Sequence, residues 1–442
     1  MIQSSIFKSY DIRGIYPDQL NEATAFEIGR GFVKHAQVKN VLVGHDGRLS
    51  SPELFRALCE GIISLGANVI SLGQVPTELV YFAIGNYDYD GAIMITASHN
   101  PKEYNGFKMM KKVGNDIVWI RGKDMFSTIE SNGYAEVPHG KIQEKDVWQD
   151  YKKRILGFIK TEIKPFKVVV DASSGVIGKA FEIVEKSLPI EITKLNFEPD
   201  GDFPNHSPNP LEPGSSDQIS AEIKKQNADF GVMFDADADR IFLVDEQGKM
   251  ANPDVLRLLL AKHFLGQKPR AVVVYDLICS KTVPEFIKQW GGVPVRSKVG
   301  FVNIRENLIE RKGVMGGEMS GHYCFADNYY TDSGVIAFLT LLQILSQDQR
   351  KVSKIEKEFI KYYKADQMNF EIENRDEAVD KIKEKYSDGK QDFLDGVTVE
   401  YKDWWFNARP SNTEPLLKLT IEADKKELLE EKKKELEEFI KS

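Results

Sequence analysis

Cysteine is scarce in this chain: Cys59, Cys279 and Cys324 are the only three among 442 residues. An odd, scattered set cannot pair completely and lacks metal-site spacing, so neither a disulfide framework nor a thiolate cluster is expected, and a reducing cytoplasm suits it. No uncharged apolar run reaches the ~20 residues needed to cross a bilayer. The opening Met1-Ile-Gln-Ser-Ser-Ile-Phe-Lys8 also lacks a basic segment followed by an apolar one. The expectation is a cytoplasmic protein with no membrane partner. Excess positive charge is missing too: at a net −8 the chain suits neither nucleic acid nor an anionic surface, and any phosphate must be held by local basic groups.

What is present is a globular composition, 42% hydrophobic and 29% charged, in a length that suggests three or four domains at ~100–200 residues each. Val41-Leu-Val-Gly44 reads as a buried strand, Pro52 to Leu65 as a helix and Asn68 to Leu72 as the next strand. Such alternation implies a mainly parallel sheet flanked by helices. The layout of strand, small polar loop and helix recurs at Lys167-Val-Val-Val-Asp171 with Ser173 to Gly178, and at Ala271 to Asp276 with Cys279 to Thr282. Three related α/β domains follow, over 1–147, 148–250 and 251–362, with a smaller α+β domain over 363–442. In that last domain, strands at Val397 to Tyr401 and Leu416 to Ile421 are expected to be separated by helices, and Asp424 to Lys441 to form a solvated helix with a thin apolar stripe.

Four loops carry residue types that do chemistry. Ile93-Met-Ile95 is a short apolar strand that Asn100-Pro101 cannot continue, so Ser98 falls in a polar turn at its end. A turn-forming or capping serine is the ordinary explanation of such a residue. A Ser-His hydrolase pair with His99 is disfavoured: there is no Gly-x-Ser-x-Gly elbow, and consecutive side chains on an extended backbone diverge. Next, Phe230-Gly-Val-Met-Phe234 runs into Asp235-Ala-Asp-Ala-Asp239-Arg240. In an extended segment this alternation points three carboxylates one way, and such charges repel unless a cation neutralises them; oxygen donors suit magnesium. An EF-hand would need glycine where Arg240 stands. A haloacid-dehalogenase-type phosphatase with Asp235 as nucleophile fits Asp235 and Asp237 but leaves Ser98 without a task. Third, Gly316-Gly-Glu-Met-Ser-Gly-His322 offers Glu318 and Ser320 to vicinal hydroxyls, though such a stretch is more often a flexible turn. Fourth, Arg409-Pro-Ser-Asn-Thr-Glu-Pro415 gathers a guanidinium, two hydroxyls and an amide, a cradle for a phosphate dianion, against the plainer reading of a proline-bounded turn.

Thr96-Ala-Ser-His-Asn-Pro101, with Tyr104-Asn-Gly-Phe-Lys108, resembles the active-serine signature of the α-D-phosphohexomutases. The other three loops and the opening Phe7-Lys-Ser-Tyr-Asp-Ile-Arg-Gly14 resemble that family's remaining motifs in the same order, so the resemblance spans residues 7 to 415. It implies four domains around a central cleft. It also implies a mutase that moves phosphate between O1 and O6 of a hexose through phospho-Ser98 and a hexose 1,6-bisphosphate, which doubles as activator. Mg2+ would be held by Asp235, Asp237, Asp239 and the Ser98 oxygen. Arg13, His99, Lys108 and His322 would serve catalysis. Tyr10, Arg240, Lys298, Glu318, Ser320, Arg409, Ser411, Asn412 and Thr413 would bind the substrate. The partners implied are small hexose phosphates, in a monomer or dimer. Phe301 departs from the histidine, and His45 from the arginine, that many members carry. Glu318-Met-Ser320 and Asn412 resemble the phosphomannomutase/phosphoglucomutase branch more than phosphoglucosamine mutases; a non-enzymatic sugar-phosphate binder is the alternative of another class.

Overall fold

The computed structural model describes residues 2–130, 133, 137–411 and 416–441. The chain forms two compact units, Met1–Ala251 with Gly321–Ser353, and Asn252–Ser320 with Lys354–Ser442.

Among the described residues, two sheets lie wholly in the first unit. One runs in the order Ile12–Ile15, Tyr104–Val113, Gly91–Ile95, Asn40–His45, Asn68–Gln74 and Ile142–Glu144, with Asp116–Ile120 folded back on Tyr104–Val113. Gly91–Ile95, Asn40–His45 and Asn68–Gln74 are parallel neighbours. All five residues of Gly91–Ile95, parallel to Asn40–His45 and antiparallel to Tyr104–Val113, are buried, as expected of an interior strand covered on both faces. The other sheet places Phe166–Asp171 between Ile190–Leu195 and Phe230–Phe234, all parallel, with Ile241–Val244 antiparallel at its edge.

In the second unit, Val272–Asp276 lies between Val293–Ser297 and Met315–Gly317, again parallel. A separate antiparallel sheet is built on Leu416–Ala423, which pairs with Tyr363–Lys364, Met368–Glu371 and Trp404–Pro410; Val397–Glu400 and Lys390–Asp392 continue it. Its core joins Val397, Val399, Phe406, Leu417, Leu419 and Ile421 to Leu429 and Leu436 of the helix Lys426–Lys441. The helix expected between the strands at 397 and 416 is instead the strand Trp404–Pro410. Trp404, Trp405 and Phe406 are strand-favouring aromatics, and a tight reversal in which Tyr401 N–H donates to the Trp404 carbonyl stacks the two rings 4.7 Å apart.

This topology places the chemistry. Thr96–Pro101 follows Gly91–Ile95, Asp235–Arg240 follows Phe230–Phe234, and Glu318–Ser320 follows Met315–Gly317. Each loop leaves the carboxyl end of a parallel strand, where α/β sheets bind ligands.

Candidate active site

Ser98 sits on a turn with φ +50, a left-handed conformation that costs a non-glycine residue about 1 kcal/mol or more. The turn is held from below by Arg48, whose guanidinium is fully buried. It donates to the carbonyls of Ser98, Asn100, Pro101 and Tyr104 at 2.6–3.0 Å and pairs with Asp46 at 3.2 Å. Sequence reasoning missed Arg48, three residues after His45, because its four acceptors lie about fifty residues downstream. Arg48→Met strands a buried carboxylate and four carbonyls. Chemical denaturation is expected to show a loss of about 3–5 kcal/mol, the usual cost of breaking a buried pair, and a loss below 1 kcal/mol would mean the clamp is dispensable.

The turn also overturns an expectation from the extended chain. Ser98 Oγ and His99 Nδ1 lie 3.2 Å apart, because the left-handed residue swings the two side chains together. Burial and the positive charges of Arg240, Arg13 and His322 hold the His99 pKa well below its ordinary value, so the ring is neutral.

Asp235, Asp237 and Asp239 are buried and converge, each offering one oxygen within 4.8 Å of the others. Strand alternation is not the cause. Residues 235–240 form a turn in which Ala238 has φ +65 and its N–H donates to the Asp235 carbonyl, and this coil aims the carboxylates inward. The loop rests on the neighbouring Ser173 to Gly178 turn: Ser173 Oγ donates to the Phe234 carbonyl, and Val176 N–H to that of Ala236. A Cβ on Gly175 would lie 2.3 Å from the Ala236 carbonyl oxygen, so only glycine fits this approach.

Ser98 Oγ donates to Asp235 Oδ2 at 2.7 Å. Asp237 Oδ2 accepts from Thr77 Oγ1, Thr96 Oγ1 and Lys108 Nζ, and Lys108 reaches Asp239 Oδ2 at 2.5 Å. Thr96 Oγ1 also accepts the Ser98 N–H at 2.8 Å. Neither threonine was anticipated; Thr96 lay inside the serine block, while Thr77 had no signal. Arg240 N–H donates to Asp235 Oδ1, and its guanidinium lies 3.5 Å from Asp235 Oδ2. His322 Nε2 is 3.1 Å from Asp239 Oδ1 and 3.8 Å from Asp332, a buried carboxylate also missed from sequence.

Burial and repulsion from Asp239 and Asp237 push Asp235 up to about 7. Asp239 is held well below the ordinary range despite its burial, by Lys108 and His322. Lys108 is raised further by the two carboxylates, against the effect of burial. Asp235, Asp237 and Asp239 thus crowd their charges closely enough that their repulsion is felt at Asp235. Asp237 Oδ1 is buried with no hydrogen-bond partner among the described residues. Hard oxygen donors, excess negative charge and an unsatisfied buried oxygen fit a divalent cation.

Arg13 donates to Asn100 Oδ1 beside this turn and pairs with Asp11, while Tyr10 is half-buried just before the strand Ile12–Ile15. In the second unit, Glu318 is 4% exposed; it accepts from Ser320 Oγ through Oε1 and from Gly300 N–H through Oε2 at 3.1 Å. Gly300, at φ +115, can aim its N–H this way where an L residue would be strained. Phe301 begins the helix Phe301–Glu310 at this point, and Lys298 is exposed two residues before Gly300. Arg409, near the end of Trp404–Pro410, donates to Gln367 Oε1 at 3.1 Å, and Ser411 N–H donates to the Leu416 carbonyl. Asn412 and Thr413 lie outside the described residues.

Family models for phosphoglucomutase/phosphomannomutase match four stretches in series: alpha/beta/alpha domain I at residues 4–121, domain II at 147–248, domain III at 252–363 and the C-terminal domain at 368–439. The chain belongs to the phosphoglucomutase/phosphomannomutase family. It is 36% identical to a phosphomannomutase of Methanocaldococcus jannaschii, over 98% of this chain and 97% of the relative. It is 35% identical to a phosphomannomutase/phosphoglucomutase of Pseudomonas aeruginosa, over 97% and 94%. A crystal structure of a family protein from Burkholderia thailandensis superposes with a TM-score of 0.92 at 32% identity, covering 100% of this chain and 98% of that one. This chain is a hexose-phosphate mutase of the α-D-phosphohexomutase superfamily, with three α/β domains and a C-terminal fourth. Cys59, Cys279 and Cys324 are buried thiols, and among the described residues no helix is long and apolar enough to cross a membrane.

Proposed function

We propose that the mutase interconverts the 1- and 6-phosphates of mannose, glucose or both, with Ser98 as the phosphate carrier, in the cytoplasm. One observation carries this reading: the hydroxyl of Ser98 is hydrogen-bonded into the three-carboxylate cluster, beside Lys108. Direct transfer across the sugar ring from O1 to O6 is out of reach, and a carrier resolves this. Phospho-Ser98 gives its phosphoryl group to the free hydroxyl of the monophosphate, the resulting hexose 1,6-bisphosphate turns around, and the other phosphate returns to Ser98. The bisphosphate would also charge a Ser98 that has lost its phosphate.

Positioning and charge dominate such transfers. Arg48, Thr96 and Asp235 fix Ser98. Lys108, raised well above neutrality, acts as a constant positive charge rather than a base. His99, neutral and 3.2 Å from Ser98 Oγ, is placed to hold the hydroxyl proton, which favours it over Lys108 as general acid/base at that atom; His322 is the second candidate. Magnesium held by Asp235, Asp237, Asp239 and the Ser98 oxygen would neutralise charge on the transferring group. Glu318 and Ser320 bind sugar hydroxyls, with Tyr10, Arg13, Arg240 and Lys298 toward the substrate. Arg409, Ser411, Asn412 and Thr413 take the phosphate that is not reacting.

The test is a set of coupled assays on glucose, mannose and glucosamine 1-phosphates. Glu318 and Ser320 would read the O3 and O4 hydroxyls that glucose and mannose share, so their kcat/KM values should agree within about a hundredfold, the spread of ~1–3 kcal/mol of differential contact. Discrimination of many thousandfold would mean that another residue reads C2, and activity on glucosamine 1-phosphate alone would overturn the choice of sugar.

A further inference from the structure

Each of the three α/β domains has a buried aspartate at the carboxyl end of its first parallel strand, and each of these pairs with a basic side chain. Asp46, after Asn40–His45, pairs with Arg48. Asp171, ending Phe166–Asp171, lies 3.1 Å from His206 Nε2, and it raises the His206 pKa although burial pulls the other way. Asp276, ending Val272–Asp276, lies 3.2 Å from Arg257. In the first two domains the loop served is accounted for: Arg48 clamps the Ser98 turn, and Asp171 accepts Ser173 N–H in the turn that carries the metal loop. In the third, Asp276 Oδ2 accepts the N–H of Met319 at 2.8 Å. Met319 stands between Glu318 and Ser320, so fixing its peptide sets the direction of both neighbours.

Arg257 is fully buried on the helix Pro253–Gln267. Its second carboxylate partner, Asp254 at 3.0 Å, accepts the Ser280 N–H. Burial pushes the Asp276 pKa up, and Arg257 is the strongest opposing influence. We propose that Arg257 is a positioning residue for sugar recognition: it keeps Asp276 an acceptor, and thereby holds the main chain of Glu318-Met-Ser320 in the orientation that presents both side chains to the hexose hydroxyls. This rests on the reading of Glu318 and Ser320 as sugar ligands.

The decisive comparison is between Arg257→Met and the double variant Arg257→Met/Asp276→Asn. In the single variant two buried carboxylates, Asp276 and Asp254, lose their cation, and the loop held by Asp276 shifts. KM for glucose 1-phosphate and mannose 1-phosphate should rise about tenfold, with kcat at saturation within about threefold of the parent, because the loss is in binding. In the double variant Asp276 has no charge to strand, Asp254 alone loses its cation, and the Asn amide oxygen still accepts from Met319 N–H, so KM should return to within about threefold of the parent. The magnesium activation curve should be unchanged in both. Unaltered KM in Arg257→Met, a fall in kcat at constant KM, or a double variant no better than the single one overturns the proposal. If circular dichroism shows Arg257→Met unfolded, Arg257→Lys, which keeps the charge and loses the planar fork, replaces it, with a raised KM expected and an unchanged one overturning the proposal. Glu318→Gln run alongside separates the two ideas: normal KM there removes the sugar-ligand reading itself, whereas raised KM there with a silent Arg257→Met removes only the role of Arg257.

Discussion

Ser98→Ala should lose on the order of 10^4–10^6-fold in kcat, the range seen when a covalent carrier is deleted. The effect is expected to be large because the proposed carrier is lost and the nucleophilic groups beside it are engaged otherwise. His99 lies 3.2 Å from Ser98 Oγ and is proposed to serve its proton, and Asp235 is occupied as acceptor to Ser98 and Arg240. The fold should survive, since the change removes a single hydroxyl and costs about 1–3 kcal/mol for the partner left behind; circular dichroism checks this. Intact mass of the parent enzyme after incubation with a hexose 1,6-bisphosphate should show one added phosphate, peptide mapping should place it on Ser98, and Ser98→Ala should acquire none. Phosphate recovered on Asp235 would sink the carrier assignment and revive the dehalogenase-type reading.

Asp237→Asn is expected to cost about 10^2–10^3-fold in kcat, the scale for removing one charge-stabilising group from a transfer site. Asn can keep an oxygen facing Thr77, Thr96 and Lys108, but its NH2 must then replace Oδ1, the buried oxygen without a partner among the described residues. A donor would thus face the proposed cation position, and a negative charge that balances Lys108 would be gone. KM should change much less than kcat. In the parent enzyme, excess chelator should abolish turnover and magnesium should restore it. Full activity in chelator would exclude the metal, and a normal kcat in Asp237→Asn would exclude Asp237 as its ligand.

Much of this was legible in the primary sequence because each functional loop is local. Strand, polar loop and helix follow one another within about twenty residues at Val41, Lys167 and Ala271, so periodicity finds them. The serine, aspartate, glycine-glutamate and arginine-serine blocks each keep their chemistry within a few consecutive positions. The angles inside those loops were not legible. Ser98 at φ +50 and Ala238 at φ +65 are left-handed without being glycine; tertiary contacts impose that conformation, and residue type gives no warning of it. Alternation along an extended chain therefore misjudged both how three aspartates converge and whether Ser98 and His99 can meet.

By itself the amino-acid sequence determined which groups exist and which strand end each one leaves, since hydrophobic periodicity and turn chemistry are short-range properties. Only the tertiary structure decided which groups touch. Ser98 meets Asp235 across 137 residues and Thr77 meets Asp237 across 160, Arg48 finds its carbonyls only once two parallel strands are side by side, and Arg257 finds Asp276 only when a helix closes over its sheet. Such contacts depend on burial. A buried carboxylate or guanidinium is stable only beside a complementary charge or a full set of hydrogen bonds, so the folded core, not the local chain, selects the partners.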